Sequence, residues 1–142
     1  MSHILLLGAG FSHNWGGWLA DEIVGDMLGR VVDNEELRNL LQHAGNFEDA
    51  LSQLQYAYKR QPSTETKSRL DCFQNIILDS FAAMNAAFAG RPSMEFSNYV
   101  EFSILRFLSQ FDAIFTLNQD LLFELHYDGM HLHNHRSWNG HC

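Results

Sequence analysis

Cysteine, proline and positive charge are all scarce in this chain. Two cysteines, Cys72 and Cys142, in 142 residues provide neither a disulfide framework nor the four thiolates of a structural zinc site, and make a reducing cytoplasm the default setting. The two prolines, Pro62 and Pro92, stand at turns between helical stretches. Nine Lys and Arg against 17 Asp and Glu give a formal charge of -8 and a pI near 5.3. That balance argues against a phosphate-backbone binder, whose affinity comes from clustered cations releasing counterions. Lys59-Arg60 is the only adjacent basic pair. No apolar run approaches the ~20 residues that span a bilayer, and the short N-terminal apolar segment lacks the basic leader of a signal peptide. Direct nucleic-acid and membrane partners are therefore not expected.

What is abundant is apolar: 46% of residues are hydrophobic and 13% aromatic, enough for a sizeable core in one globular domain over residues 1–142. Ile4 to Leu7 reads as a continuous apolar strand of the kind buried on both faces in a parallel sheet, and Asp112 to Thr116 as a second. Between them the pattern is helical. Leu19, Ile23, Met27 and Val31 recur at helical spacing, and Asp33-Asn34 breaks and caps a short helix through Leu41 that Gly45 ends. Asn46 caps the next, with Phe47, Leu51, Leu54 and Tyr58 along one face and Glu48 and Asp49 in the first turn, where the helix dipole favours them. After a polar turn at Pro62-Ser63, the stripe Leu70, Phe73, Ile77, Met84 and Phe88 predicts a long helix from about Glu65 to Phe88, stopped by Gly90-Arg91-Pro92. A further helix is expected from about Ser97, with Tyr99, Phe102, Leu105 or Arg106, and Leu108 on successive turns, and another over Asn118 to Tyr127.

The first strand runs into Gly8-Ala9-Gly10-Phe11-Ser12. Glycines at a strand-to-helix turn bring bare backbone to one point, where N–H groups close on a pyrophosphate. The dinucleotide fingerprint is incomplete, because His13 stands where G-x-G-x-x-G has its third glycine and no acidic residue follows a second strand about 20 positions on. A phosphate-binding loop of the Gly-Lys-Ser/Thr type is absent as well. A tight turn without a ligand is the plain alternative. The second strand ends in Thr116-Leu117-Asn118-Gln119-Asp120, which sets a carboxamide and a carboxylate just beyond a strand end, the position where an open parallel sheet meets its ligands. Asn118 and Asp120 equally suit capping of the helix that follows.

Taken together, Gly8-Ala-Gly-Phe-Ser12, the Gly16-Gly17 pair and Thr116-x-Asn118-x-Asp120 resemble the SIR2 (sirtuin) family, specifically the SIR2-like NAD-hydrolysing domains of prokaryotic defence proteins. Asn46-Phe47-Glu48-Asp49 through Leu51 also looks like a segment of those domains. The resemblance implies an α/β fold, a Rossmann-like SIR2-type NAD-binding domain with a parallel sheet and a large helical insertion over about 34–109. It implies that the amides of Gly8, Ala9 and Gly10 line the NAD pyrophosphate with Phe11 beside them. Ser12 then lies near the phosphates or the nicotinamide ribose, and Thr116 closes the second motif. Asn118 matches the family asparagine that orients the attacking group, and Asp120 the aspartate that holds the nicotinamide carboxamide. Cleavage of the glycosidic bond passes through an oxocarbenium-like state, which fixed dipoles and a positioned water stabilise. NAD is then the substrate, zinc is not expected, and the partners are a second copy of the chain or another defence protein.

The incomplete sheet and two departures from the family qualify this. Two strands do not complete a parallel sheet, so the chain reads as truncated at its C-terminus. The family's histidine base, at the end of a later strand before glycine, has no counterpart: His126, His131, His133 and His135 match by type and not by context. Without four cysteines the zinc module of deacylating members cannot form, which ranks protein deacylation below NAD hydrolysis. The terminal His131-x-His133-x-His135, with His141 and Cys142, admits a metal-binding reading, and a solvated irregular segment is the simpler one. Two functions stay open: an NAD glycohydrolase in antiphage defence, and an NAD or ADP-ribose sensor without turnover.

Overall fold

The computed structural model describes residues 2–90 and 103–127. Strand β1 (Ile4–Leu7) pairs in parallel with β2 (Ala113–Thr116), the register running from Ile4 opposite Ala113 to Leu7 opposite Thr116. A parallel pair needs a crossover, and here the connection is nearly the whole protein. After β1 come α1 (Ala9–His13), α2 (Ala20–Arg30), α3 (Glu35–Ala44), α4 (Phe47–Arg60), α5 (Thr64–Ala89) and α6 (Ile104–Leu108), and α7 (Leu122–Tyr127) follows β2. The described residues therefore form an α/β arrangement, helices packed against a two-stranded parallel sheet.

The helices begin and end where local chemistry dictates. Asn34 Oδ1 accepts from Leu37 N–H at 3.1 Å and Asn46 Oδ1 from Asp49 N–H at 2.7 Å, each satisfying a first-turn donor. Ser63 Oγ accepts from Thr66 N–H at 3.1 Å and opens α5. Gly45, at φ 79°, closes α3 in the left-handed region. Helix α3 runs through Leu41 to Ala44 and ends at Gly45, as expected. Of the helix predicted from about Ser97, only α6 is seen, and Tyr99 and Phe102 lie outside the described residues.

Two apolar clusters hold these elements together. Ile23, Met27, Val31, Leu37, Leu41, Phe47, Ala50 and Phe73 join α2 to α5 into a helical unit. Trp15, Met84, Phe88, Ile104, Leu108 and Leu122 pack beneath the sheet. Trp18 and Phe81 pack against both, so they mark the seam between helical unit and sheet. At one edge of that helical unit, Ser80, fully buried, donates to Asp26 at 2.7 Å, and Arg30 Nε donates to the same carboxylate at 2.6 Å.

Two expectations need correction. Strand β1 is not buried on both faces: Ile4 and Leu6 are 64% and 61% exposed, and Phe115, opposite Leu6, is 56% exposed. Among the described residues helices cover one face only, so an apolar run that suits a two-sided sheet here leaves alternate residues bare. Helix α7 begins at Leu122, four residues after the predicted start. Side chains capture the backbone in between: Thr116 Oγ1 accepts from Asn118 N–H at 3.0 Å, Asn85 Oδ1 from Leu121 N–H at 2.9 Å, and Asp120 Oδ1 from Leu122 N–H at 3.1 Å. Polar side chains next to their own backbone compete with helix formation in this way.

Candidate functional site

The register that sets Leu7 beside Thr116 puts the two sequence motifs at the same end of the sheet. The pairing extends one residue further, with Leu117 N–H donating to Leu7 C=O at 3.0 Å. Beyond it, Ser12 meets residues more than a hundred positions away. Its hydroxyl donates to Asp120 Oδ1 at 2.9 Å and accepts from Asn118 Nδ2 at 2.7 Å. Ser12 is 1% and Asp120 6% exposed, so these bonds form where water competes poorly.

The bonds fix the chemistry of the amide. The single Ser12 proton goes to a carboxylate, so the lone pair of Oγ is what faces Asn118, and the amide must present its NH₂ there. Asn118 Oδ1 then points elsewhere, buried and without a partner among the described residues. A buried acceptor left unpaired costs about 1–3 kcal/mol, which a ligand donor relieves. Asp120 Oδ1 is saturated by Ser12 and by Leu122 N–H, while Oδ2 has no partner among the described residues.

Ser12 is held by glycine. A Cβ at Gly17 would lie 2.7 Å from Ser12 Cβ and 2.8 Å from its carbonyl carbon, closer than real contacts allow, and Gly17 N–H donates to Ser12 C=O at 3.0 Å. Gly16, at φ 92°, turns the chain back to make this approach. His13 Nδ1, 2.9 Å from Gly17 C=O, ties down the same turn. Gly8 and Gly10 differ: a Cβ at either meets nothing within 4 Å. Packing does not require glycine there. Gly8 is the N-cap of α1 and supplies no side-chain acceptor to its first turn, leaving that end of α1 bare and open.

A cavity of about 180 Å³ sits at the seam. Ala9, Asn118 and Asp120 line it from the strand ends, Trp18, Phe81 and Met84 from the core, and Phe47 and Glu48 from the start of α4. Trp18 N–H reaches Met84 Sδ at 3.2 Å, fixing one wall. A larger depression of about 620 Å³ between α4 and α5 is lined by Leu51, Asp71, Gln74, Asn75, Ile77 and Leu78; it is remote from the strand ends and converges no paired or orphaned buried group.

Of the predicted site residues, Ala9, Ser12, Asn118 and Asp120 converge at this cavity or on its lining. Gly8 and Gly10 flank Ala9, exposed. Thr116 acts one step back, through its bond to Asn118 N–H. Phe11 does not enter the cavity: its ring packs on Trp15 with centroids 4.9 Å apart. The side chain of His126, and all of His131, His133, His135, His141 and Cys142, lie outside the described residues. Sequence reasoning missed Trp18 and Phe81, which fell on none of its stripes, and read Met84 as a stripe position of the long helix; no local signal marks the three as cavity lining. The strand ends and this cleft belong to an α/β arrangement, and open parallel sheets in general meet their ligands outside the carboxyl ends of the strands. Comparison with protein-family models, with curated proteins and with solved structures finds no match.

Proposed function

We propose that the Ser12–Asn118–Asp120 cleft is the nicotinamide end of an NAD⁺ site in a SIR2-type domain, and that the protein hydrolyses NAD⁺ to ADP-ribose and nicotinamide. The observation that carries this is the buried, unpartnered Asn118 Oδ1, held in a fixed direction by Ser12. In this reading it accepts from the attacking water or a ribose hydroxyl at C1′. Asp120 Oδ2 accepts from the nicotinamide carboxamide. The bare first turn of α1, at Gly8, Ala9 and Gly10, leaves room for the pyrophosphate. A cavity of about 180 Å³ suits one ring rather than a dinucleotide, whose pockets run to about 300–1,000 Å³, so the adenosine end extends outside.

In the reaction, water adds to C1′, the C1′–N bond breaks with its electron pair going to nicotinamide, and the water's second proton leaves to solvent. The chain contributes orientation and fixed dipoles. The resemblance extends the reading to cytoplasmic antiphage defence, with a second copy or another defence protein as partner. Nicotinamide release by the whole protein tests the chemistry: Asn118→Ala is expected to lower it about 100-fold or more. Equal release by both proteins would remove Asn118 from the reaction, and silence of both would remove the hydrolase. One observation favours a second reading, a sensor without turnover: among the described residues no histidine lines the cavity. Saturable ADP-ribose binding with no nicotinamide released identifies it.

A further inference from the structure

In Asn46-Phe47-Glu48-Asp49, three side chains make a bond or fill the core, and Glu48 contributes only its charge to the first turn of α4. Asn46 caps α4 and its Nδ2 donates to Asp49 Oδ2 at 2.9 Å, so the cap and Asp49 occupy each other. Phe47 is 6% exposed in the helical core. Glu48 lies between them, exposed, with no hydrogen bond or ion pair among the described residues, yet it lines the cavity that holds Asn118 and Asp120.

The charge and shape of that cavity point one way. Its lining includes two carboxylates, Glu48 and Asp120, and no Lys, Arg or His among the described residues. Asp120 is fixed through one oxygen by two neutral donors, Ser12 and Leu122 N–H, and Glu48 is the carboxylate of the lining with no hydrogen bond or ion pair among the described residues. Trp18, Phe47 and Phe81 line the same cavity. Aromatic walls beside an unpaired carboxylate are the surroundings that favour a flat cation over a neutral ring of the same outline.

Resting on the NAD reading above, we infer that Glu48 is the specificity-determining carboxylate of the site: it selects the oxidised, cationic nicotinamide ring against the reduced, neutral one. It does so by charge from the cavity rim, and no bond is made or broken at it.

The test uses a dinucleotide that cannot turn over. Carba-NAD⁺, in which a methylene replaces the ribose ring oxygen, and its reduced form are each titrated calorimetrically into the whole protein and into Glu48→Gln. Wild type is expected to bind the oxidised form about tenfold more tightly, the size of coupling that a close charge pair provides. Glu48→Gln is expected to narrow that preference to about threefold by weakening only the oxidised form, the Asp120 carboxylate supplying what remains. An exposed Glu to Gln change keeps shape and leaves the fold intact, which thermal unfolding verifies. No preference in wild type, an undiminished preference in the variant, or equal weakening of both forms overturns the assignment to Glu48 while the NAD reading stands. Failure of wild type to bind either form overturns the NAD reading, and the role of Glu48 falls with it.

Discussion

Glycines in this chain look alike as letters and differ in duty. Gly17 is demanded by packing, since any Cβ there would collide with Ser12; Gly17→Ala is expected to destabilise the protein by about 1–3 kcal/mol, read from the urea midpoint, and to displace the Ser12 hydroxyl. Gly10 lies inside a helix with open space around it, so Gly10→Ala is expected to be neutral or to stabilise by up to about 1 kcal/mol through helix propensity. Both outcomes come from one denaturation series. Reversal of the pair would contradict the geometry of the turn. Ser12→Ala leaves Asp120 and Asn118 without the hydroxyl that joins them, at a cost of about 1–3 kcal/mol. The strand-end motifs made Asn118 and Asp120 legible as residues. The bond between Ser12 and both was not, because contacts across 106 and 108 positions leave no local signature.

Elements were legible wherever one local force decided them. Asn34 and Asn46 announce helix starts by type, and Gly45 a helix end, and all three act so here, while Ser63, read only as part of a turn, caps α5. Asn46→Ala should lower stability by about 1 kcal/mol as measured by thermal unfolding. The start of α7 was misjudged because three side chains, one of them Asn85 from α5, hold the backbone of 118–122 off the helical path. Helix α2 is joined to α5 by a device no periodicity reveals. Burial raises the Asp26 carboxyl, but the hydrogen bonds from Arg30 and Ser80 and the charge of Arg30 outweigh it and hold Asp26 below the usual carboxylate range. A carboxyl depressed in the folded state stabilises fully above its unfolded value and loses that contribution as pH falls below about 4 through the folded value. Asp26→Asn removes this part of the acid dependence, so urea midpoints followed from pH 6 to pH 3 should fall less steeply in the variant than in wild type.

At the scale of the whole molecule, the parallel pairing of β1 with β2 followed from two apolar runs ending in polar motifs, and the helical middle from its stripes. The single-sided sheet did not, since an apolar run records hydrophobicity and not what covers it. Ile4, Leu6 and Phe115 consequently stand on an open face, and Leu6→Lys with Phe115→Lys should reduce binding of a hydrophobic dye while moving stability by less than about 0.5 kcal/mol each. The seam between that sheet and the helical unit is where Trp18 and Phe81 meet Asn118 and Asp120, and the proposed function depends on this seam accepting a nicotinamide ring. Calorimetric titration of carba-NAD⁺, which cannot turn over, into the whole protein tests this most directly. Saturable binding in wild type, lost in an Asn118→Ala protein whose thermal unfolding is unchanged, is the result expected; no binding in wild type, or binding that the substitution leaves untouched, contradicts it.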